Sequence, residues 1–295
     1  RRPARMPIDY EAEYNNRARV PEHAEIFARW AREGEDYRVK AMQERRAELG
    51  LSYGATLRQV IDLFFPSEEA ASSEAGTGAP LTMFIHGGYW RSLEPSMFSQ
   101  MAGGLNSHGM TVAVVGYDLC PQVTIAEIIE QIRHACLFLW LRTGRRMMVY
   151  GHSAGGHLAA AMVATDWQGL YPKAPARLVP AACSISGLFD LAPLLATSMA
   201  QDLRLQETAM DKVSPLLWPP PKGRAFDAVV GALESGEFLR QSRVIAEVWG
   251  KGGTQSRYDE IAGTNHFTVL DALTDPQSDM VKRLAALTRE GNASP

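Results

Sequence analysis

A serine with a glycine two positions before it and another two positions after it is the strongest chemical signal in the chain. Residues 151 to 155 read Gly-His-Ser-Ala-Gly, so Gly151 and Gly155 stand two positions before and after Ser153. An apolar run precedes this segment and an alanine-rich run follows it. The spacing is that of a nucleophile elbow, a tight strand-to-helix turn that needs small neighbours while the serine oxygen projects from the sheet edge. Ser153 is therefore the candidate nucleophile.

A serine hydroxyl attacks well only when a base within hydrogen-bond reach takes its proton. His266 follows the last predicted strand, in a loop that can reach the elbow. His152 and His157 flank Ser153 too closely to fold back onto it. Three further histidines fall in or beside predicted helices: His23, His108 and His134. His266 is the predicted base, since geometry decides before pKa does.

The orienting acid should lie between the serine and the histidine in chain order. The candidates are Asp190, Asp227, Glu234, Glu237 and Asp259. Catalytic groups sit beyond the carboxyl ends of strands. Asp227 begins its predicted strand, whereas Glu234 follows that strand in a turn, so we predict Glu234. An exposed turn residue or a helix N-terminal charge is the alternative interpretation of Glu234, and Glu237 is more typical of a first-turn helix residue.

Backbone N–H donors are also needed where negative charge develops on the substrate oxygen. Gly87 and Gly88 follow a predicted strand one unit before the elbow, and Ala154 follows the nucleophile, so these three are predicted to form an oxyanion hole. Four aromatic residues are candidates for the walls of a substrate pocket: Tyr89, Trp90, Trp218 and Phe267. The alternative for Tyr89 and Trp90, that they are core aromatics, stays open.

Composition excludes several other classes of protein. A net charge of −3 and an isoelectric point near 6.2 give no basic surface for nucleic acid or for an anionic membrane. No apolar run approaches a membrane span. The basic residues Arg1, Arg2 and Arg5 are not followed by the apolar stretch of a secretory signal. We expect a soluble, cytoplasmic protein.

Metal and cofactor chemistry are not indicated. The histidines form no ligand-spaced cluster such as H-E-x-x-H, and neither a phosphate-binding loop nor a dinucleotide fingerprint is present. The three cysteines, Cys120, Cys136 and Cys183, lie in apolar surroundings and are expected to be reduced thiols. We therefore expect no metal and no cofactor.

The elements that must position these residues alternate between buried strands and amphipathic helices. This order predicts a doubly wound, mostly parallel α/β sheet with helices on both faces. Residues 1–50 are predicted to form a helical segment, with a second helix over 35–49, that covers a catalytic domain of residues 51–295. Residues 67–80 are predicted to be a mobile surface loop.

Several motifs together resemble the α/β-hydrolase family, and within it the arylformamidase branch, close to the hormone-sensitive-lipase-like esterases. They are His86-Gly87-Gly88-Tyr89-Trp90, the segment Gly151 to Leu158, Ser186 to Leu191, Ser214-Pro215-Leu216, Glu237-Phe238-x-x-Gln241-Ser242 and Asn265-His266-Phe267. The resemblance covers about residues 55–290. The acid position, usually aspartate in the family, falls on Glu234.

The resemblance implies hydrolysis of an N-formyl arylamine through a formyl-enzyme on Ser153. The partner expected is thus a small aromatic substrate, and a homodimer is kept as a hypothesis. Fold alone does not fix the substrate. A carboxylesterase for short acyl esters is the alternative activity, and a noncatalytic receptor with a hydrolase fold is the alternative from another class.

Overall fold

The computed structural model describes residues 6–72 and 78–293. Its centre is a sheet of eight strands, which are β1 (Ala47–Ser52), β2 (Val60–Phe64), β3 (Leu81–Ile85), β4 (Thr111–Val115), β5 (Met147–His152), β6 (Ala181–Ile185), β7 (Ala225–Gly231) and β8 (Gln255–Ile261). Their order across the sheet is β1-β2-β4-β3-β5-β6-β7-β8. β1 and β2 run antiparallel to their neighbours, and all other pairs are parallel. The predicted mostly parallel α/β architecture is confirmed.

Helices cover both faces of this sheet. The α-helices are α1 (Tyr10–Tyr14), α2 (Asn16–Arg19), α3 (His23–Gln43), α4 (Glu68–Ser72), α5 (Gly103–Asn106), α6 (Ile125–Thr143), α7 (Ala154–Val163), α8 (Trp167–Leu170), α9 (Met210–Val213), α10 (Gly236–Lys251) and α11 (Asp279–Ala293). The 3₁₀ helices are Pro95–Ala102, Ala192–Ala196, Glu207–Ala209, Pro215–Leu217 and Thr268–Thr274. Side chains of α6, α7 and α10 pack into the hydrophobic core of one face. Those of α3, α11 and the 95–102 helix pack into the core of the other.

The parallel register brings the predicted site residues to one edge of the sheet. Ile85 pairs with Gly151, and His152 pairs with Ile185. Farther along, Gly231 pairs with Ile261. The loops after β3, β5, β6, β7 and β8 therefore all leave from the same edge, where ligands collect in sheets of this kind.

The helix predicted over residues 35–49 is wrong beyond Gln43. A single helix, α3, ends there, and Arg45 takes a left-handed backbone conformation with φ of 57°. The chain then turns into β1, whose residues Ala47 and Ser52 pair with β2. The helix ends without a glycine or proline to mark the end, because the tertiary pairing of β1 with β2 decides its extent. β1 also crosses the predicted boundary at residue 50.

Other predicted bounds shift by a few residues. β2 begins at Val60 rather than at Leu57, and β7 begins at Ala225, so Asp227 lies inside its strand. The predicted loop of residues 67–80 begins with α4, and its residues 73–77 lie outside the described part of the chain. Arg1, Arg2 and Arg5 also lie outside it. Among the helices of residues 6–72 and 78–293, none combines the length and the apolar character needed to cross a membrane.

Candidate active site

Ser153 occupies a strained turn between β5 and α7. Its φ of 57° and ψ of −117° are unusual for a residue with a side chain, and such strain is typical of nucleophile elbows. A Cβ on Gly155 would lie 1.9 Å from the carbonyl oxygen of Ile85, and one on Gly151 would lie 2.1 Å from the carbonyl oxygen of Gly155. Only glycine at these two positions allows the helix to start this close to the strands.

A chain of hydrogen bonds joins three predicted site residues. The Ser153 hydroxyl lies 3.0 Å from Nε2 of His266, and Nδ1 of His266 lies 2.5 Å from a carboxylate oxygen of Glu234. An ionised carboxylate only accepts hydrogen bonds, so Nδ1 carries the proton and Nε2 faces the serine as an acceptor. All three residues are buried. This arrangement can withdraw the serine proton and stabilise the imidazolium that results.

The second oxygen of the Glu234 carboxylate is also bound. The backbone N–H of Gly231 donates to it across 2.6 Å, and the hydroxyl of Ser186 donates to the same oxygen. Glu234 follows β7 in a tight turn, closed by a bond from its own N–H to the Gly231 carbonyl oxygen at 3.1 Å. Two donors thus hold this oxygen, while the other carboxylate oxygen contacts His266.

The other candidate acids make contacts away from Ser153. Asp227 lies inside β7 and forms an ion pair with Arg283, with an oxygen-to-nitrogen distance of 2.7 Å. Glu237 forms an ion pair with Arg240 at 2.6 Å and accepts a hydrogen bond from Tyr14 at 3.0 Å. Asp190 caps the N–H of Ala192, and Asp259 lies within β8.

The loop after β3 lies against the elbow. A Cβ on Gly87 would come within 2.8 Å of the His152 carbonyl oxygen and within 3.0 Å of the Ser153 Cβ atom. Gly88 has a φ of 107°, which favours glycine. Nδ1 of His86 contacts the Gly87 carbonyl oxygen at 2.6 Å. Because the two ends of a trans peptide point in opposite directions, this bond turns the Gly88 N–H away from His86.

Ala154 is the first residue of α7. Its N–H has no acceptor within the helix, because the first four N–H groups of a helix lack intrahelical partners. The helix dipole adds positive potential at the same point. Gly87, on the loop after β3, and Ala154, at the start of α7, therefore lie next to Ser153, and Gly88 follows Gly87 in the same loop.

A cavity of about 400 Å³ opens above Ser153 and His266. Its aromatic walls are Tyr14, Phe27, Trp30, Tyr89 and Phe267, and its polar lining includes Glu11, Asn15, Asn16, Arg17, Arg91, Ser198 and Asp202. The polar groups are partly paired among themselves: Arg91 bonds to Asp202 at 2.9 Å, and Glu11 accepts from the Ser198 backbone at 2.7 Å. The cavity can hold a small aromatic molecule with polar substituents.

Two of the four predicted wall residues lie elsewhere. Tyr89 and Phe267 line the cavity, but Trp90 is fully buried and donates from Nε1 to Nδ1 of His157 at 3.2 Å. Trp90 turns inward because both it and Tyr89 have a positive φ, of 55° and 48°. Trp218 donates to the Asp211 carbonyl oxygen at 2.7 Å and does not reach the cavity. Trp90 and Trp218 thus lie outside the lining of this cavity, in contrast to Tyr89 and Phe267.

Two features of the site, the contacts of Ser186 and of His152, carry no clear signal in the sequence, and a third, Trp30, comes from a distant segment. Ser186 reaches Glu234 from the end of the neighbouring strand β6. His152 contacts the His266 carbonyl oxygen from Nε2 at 2.6 Å. Trp30 reaches the cavity from α3, some 120 residues before the nucleophile in the sequence. Trp30 could be expected there, because it is an aromatic residue of the predicted N-terminal helical segment and such residues can reach a pocket over the sheet, whereas the contacts of Ser186 and His152 depend on tertiary packing.

Comparisons with known proteins identify the family of this chain. Residues 82–270 match the model of a family described by its alpha/beta hydrolase fold. The chain belongs to this family and is a hydrolase of the α/β fold, as its motifs predicted.

Individual relatives narrow the resemblance further. The kynurenine formamidase of Drosophila melanogaster is 30% identical over 246 residues, which cover 79% of each chain. The kynurenine formamidase of Danio rerio is 27% identical over 80% of each chain. A crystal structure from Silicibacter sp. TM1040, of a protein described as a proposed thioesterase, is 34% identical with a TM-score of 0.79 and covers 94% of this chain and 98% of its own. Within the family, the chain thus resembles the arylformamidases.

Proposed function

We propose that the protein is a serine hydrolase that cleaves a small aryl formamide or amide through an acyl-enzyme on Ser153. The observation that carries the proposal is the continuous chain from the Ser153 hydroxyl through His266 to Glu234, at 3.0 Å and 2.5 Å. The aromatic walls of the cavity support an aryl leaving group. The two relatives named kynurenine formamidase support the formamide as the bond that is cleaved.

The proposed reaction has two steps. Nε2 of His266 takes the Ser153 proton while Oγ attacks the formyl carbon, and the oxyanion receives N–H donors from Gly87, Gly88 and Ala154. His266 then gives its proton to the arylamine nitrogen as the carbon–nitrogen bond breaks. In the second step His266 activates a water molecule, which attacks the formyl-enzyme. Formate leaves and Ser153 recovers its proton.

Hydrolysis of esters or thioesters is the second candidate activity. It is favoured by the likeness, at 34% identity, to the protein described as a proposed thioesterase. The same three residues would serve, because an alkoxide or thiolate leaving group needs less protonation than an amine. The two candidates therefore differ in the leaving group and in the cavity walls rather than in the nucleophile.

The discriminating experiment measures kcat/KM on one preparation for N-formylkynurenine, formanilide, acetanilide, p-nitrophenyl acetate and an acyl thioester. The proposal expects the formamides to be the best substrates. Turnover of esters or thioesters without turnover of any amide would reject the formamidase assignment and favour the second candidate.

A parallel variant tests the nucleophile itself. Ser153→Ala should reduce turnover by at least about 10⁴-fold, while the circular dichroism spectrum stays that of the wild type. Labelling of the wild type, but not of Ser153→Ala, by a fluorophosphonate is also expected. Failure of the native wild-type protein to react would favour the noncatalytic receptor.

A further inference from the structure

Ser186 contacts the proposed acid but not the cavity. It follows β6 directly, is fully buried, and its N–H bonds to the Val229 carbonyl oxygen at 2.7 Å. Its hydroxyl contacts the Glu234 carboxylate. Because that carboxylate has no proton to give when ionised, the Ser186 hydroxyl is the donor. The hydroxyl therefore stabilises the charged form of Glu234.

The backbone of Ser186, which makes this contact, is strained. Its φ is 56°, a left-handed conformation that residues with a Cβ seldom adopt. Such strain persists only where surrounding structure holds it, and it is common at functional sites. The strained turn directs the hydroxyl from the end of β6 towards the turn that follows β7.

The contact from Ser186 restricts a side chain that is longer than the aspartate usual at the acid position. Glutamate has one more rotatable bond than aspartate, so more side-chain freedom must be lost before the carboxylate meets the base. The side chain of Glu234 folds back so that one oxygen accepts from Gly231 and Ser186 while the other faces His266. Two donors on one oxygen fix the direction of the other.

We infer that Ser186 is a positioning residue, which holds the Glu234 carboxylate aimed at His266. The inference rests on the proposed function, because it assigns Ser186 a role through the proposed acid. Ser186 need not touch the substrate. Its loss should therefore weaken the base without weakening substrate binding.

The sign of the expected pH effect follows from charge. The Glu234–His266 pair carries a net charge of −1 when His266 is neutral and no net charge when the pair holds one more proton. The Ser186 donor stabilises the charged state more, so removing it raises the proton affinity of the pair. The acid limb of the kcat/KM profile should then move to higher pH.

The test compares Ser186→Ala and Ser186→Gly with Ser184→Ala. Ser184 is a matched control, because it lies on the same strand β6, is fully buried, and its Oγ has no hydrogen-bond partner among the described residues. Glycine removes the hydroxyl while suiting the left-handed backbone, so it separates the hydrogen bond from the strain. Thermal unfolding of each variant monitors folding.

Both Ser186 variants are expected to lower kcat about 10- to 100-fold, with KM within about 2-fold of the wild type. The acid limb of the kcat/KM profile should lie at a higher pH in both variants than in the wild type. Ser184→Ala should change none of these values. When Ser186→Ala is added to Glu234→Gln, kcat should fall by less than about 3-fold relative to Glu234→Gln alone, because both residues act through one carboxylate.

The inference is overturned if Ser186→Gly keeps the wild-type kcat and pH profile, or if Ser184→Ala causes an equal loss. A full additional loss in the Glu234→Gln background would also overturn it. An NMR titration of the His266 imidazole in the wild type and in Ser186→Gly reads the same pair without substrate. If the wild type hydrolyses none of the formamides or esters, the proposed function fails, while an unshifted titration separately rejects the role of Ser186.

Discussion

The imidazole of His152 contacts the backbone carbonyl oxygen of His266 from Nε2 across 2.6 Å. A carbonyl oxygen only accepts, so Nε2 of His152 carries the proton. Burial, and then the neighbouring His266, hold the pKa of His152 well below its usual range, which keeps the ring neutral. The residue before the nucleophile thus anchors the loop that carries the proposed base.

Replacing His152 by alanine should loosen that loop. We expect His152→Ala to lower kcat about 10-fold, because the His266 ring then samples positions beyond reach of Ser153. His108→Ala is the matched control, since His108 also contacts a carbonyl oxygen, that of Pro276 at 2.7 Å, but precedes β4 and so lies at the opposite edge of the sheet. Steady-state kinetics of both variants check the prediction, and equal kcat values for the two would contradict it.

The identity of the acid is tested by two carboxamide variants. Glu234→Gln should lower kcat by about 10²- to 10⁴-fold, because the amide cannot stabilise the imidazolium in the same way. Asp227→Asn should keep most of the activity and instead lower stability, because it removes the charge paired with Arg283 at 2.7 Å. Kinetics and urea unfolding measured together separate the two effects. The reverse order of activity losses would mean that Asp227 is the acid.

The placement of the aromatic residues predicts different effects for two truncations. Phe267→Ala should raise KM for aryl formamides by about 10-fold, because Phe267 lines the cavity. Trp218→Ala should leave KM within about 2-fold, since its indole bonds to the Asp211 carbonyl oxygen outside the cavity. KM values for formanilide and N-formylkynurenine decide the matter. An increase with Trp218→Ala alone would place the aromatic wall on the Trp218 side.

Stability should fall in acid because of His157. Burial lowers the pKa of His157 to about 4, whereas the imidazole of an unfolded chain titrates near 6.5. Between these two values the unfolded chain binds the proton and the folded one does not, so stability is lost as pH falls from about 6.5 to about 4. Over this pH range the His157 imidazole lowers the free energy of unfolding by at most about 3 kcal/mol. Protonation would also remove the acceptor for the Trp90 indole.

Urea unfolding at pH 7 and pH 4.5 checks this prediction. His157→Gln retains an acceptor and a donor but does not titrate, so its stability should depend less on pH than that of the wild type. If both proteins lose the same free energy of unfolding between the two pH values, His157 is not the titrating group.

The contacts among Ser153, His266 and Glu234 could be predicted from the sequence more fully than the residues that pack around them. Ser153 and His266 could be predicted because an elbow has a strict local spacing and because strand order places the last loop at the same sheet edge. Glu234 followed from its position after β7, although aspartate is the usual residue. These inferences need only chain order and the rule that parallel strands end together.

Other features depend on contacts that no local pattern records. The inward turn of Trp90 needs two residues with a Cβ at positive φ, which their residue types do not indicate. The composition of residues 47–49 predicts a helix, but these residues form part of β1, because β1 pairs with β2. The hydroxyl of Ser186 likewise donates a hydrogen bond to Glu234, which lies 48 residues later in the sequence.

The cavity draws a large share of its lining from α1, α2 and the turn between them, including Glu11, Tyr14 and Arg17. The match to the family begins only at residue 82. The proposed catalytic residues Ser153, Glu234 and His266 thus lie within the matched range, while part of the cavity lining comes from a segment that precedes it. We therefore expect chimaeras that exchange only this leading segment between relatives to change the preference among substrates while the contacts among Ser153, His266 and Glu234 stay in place.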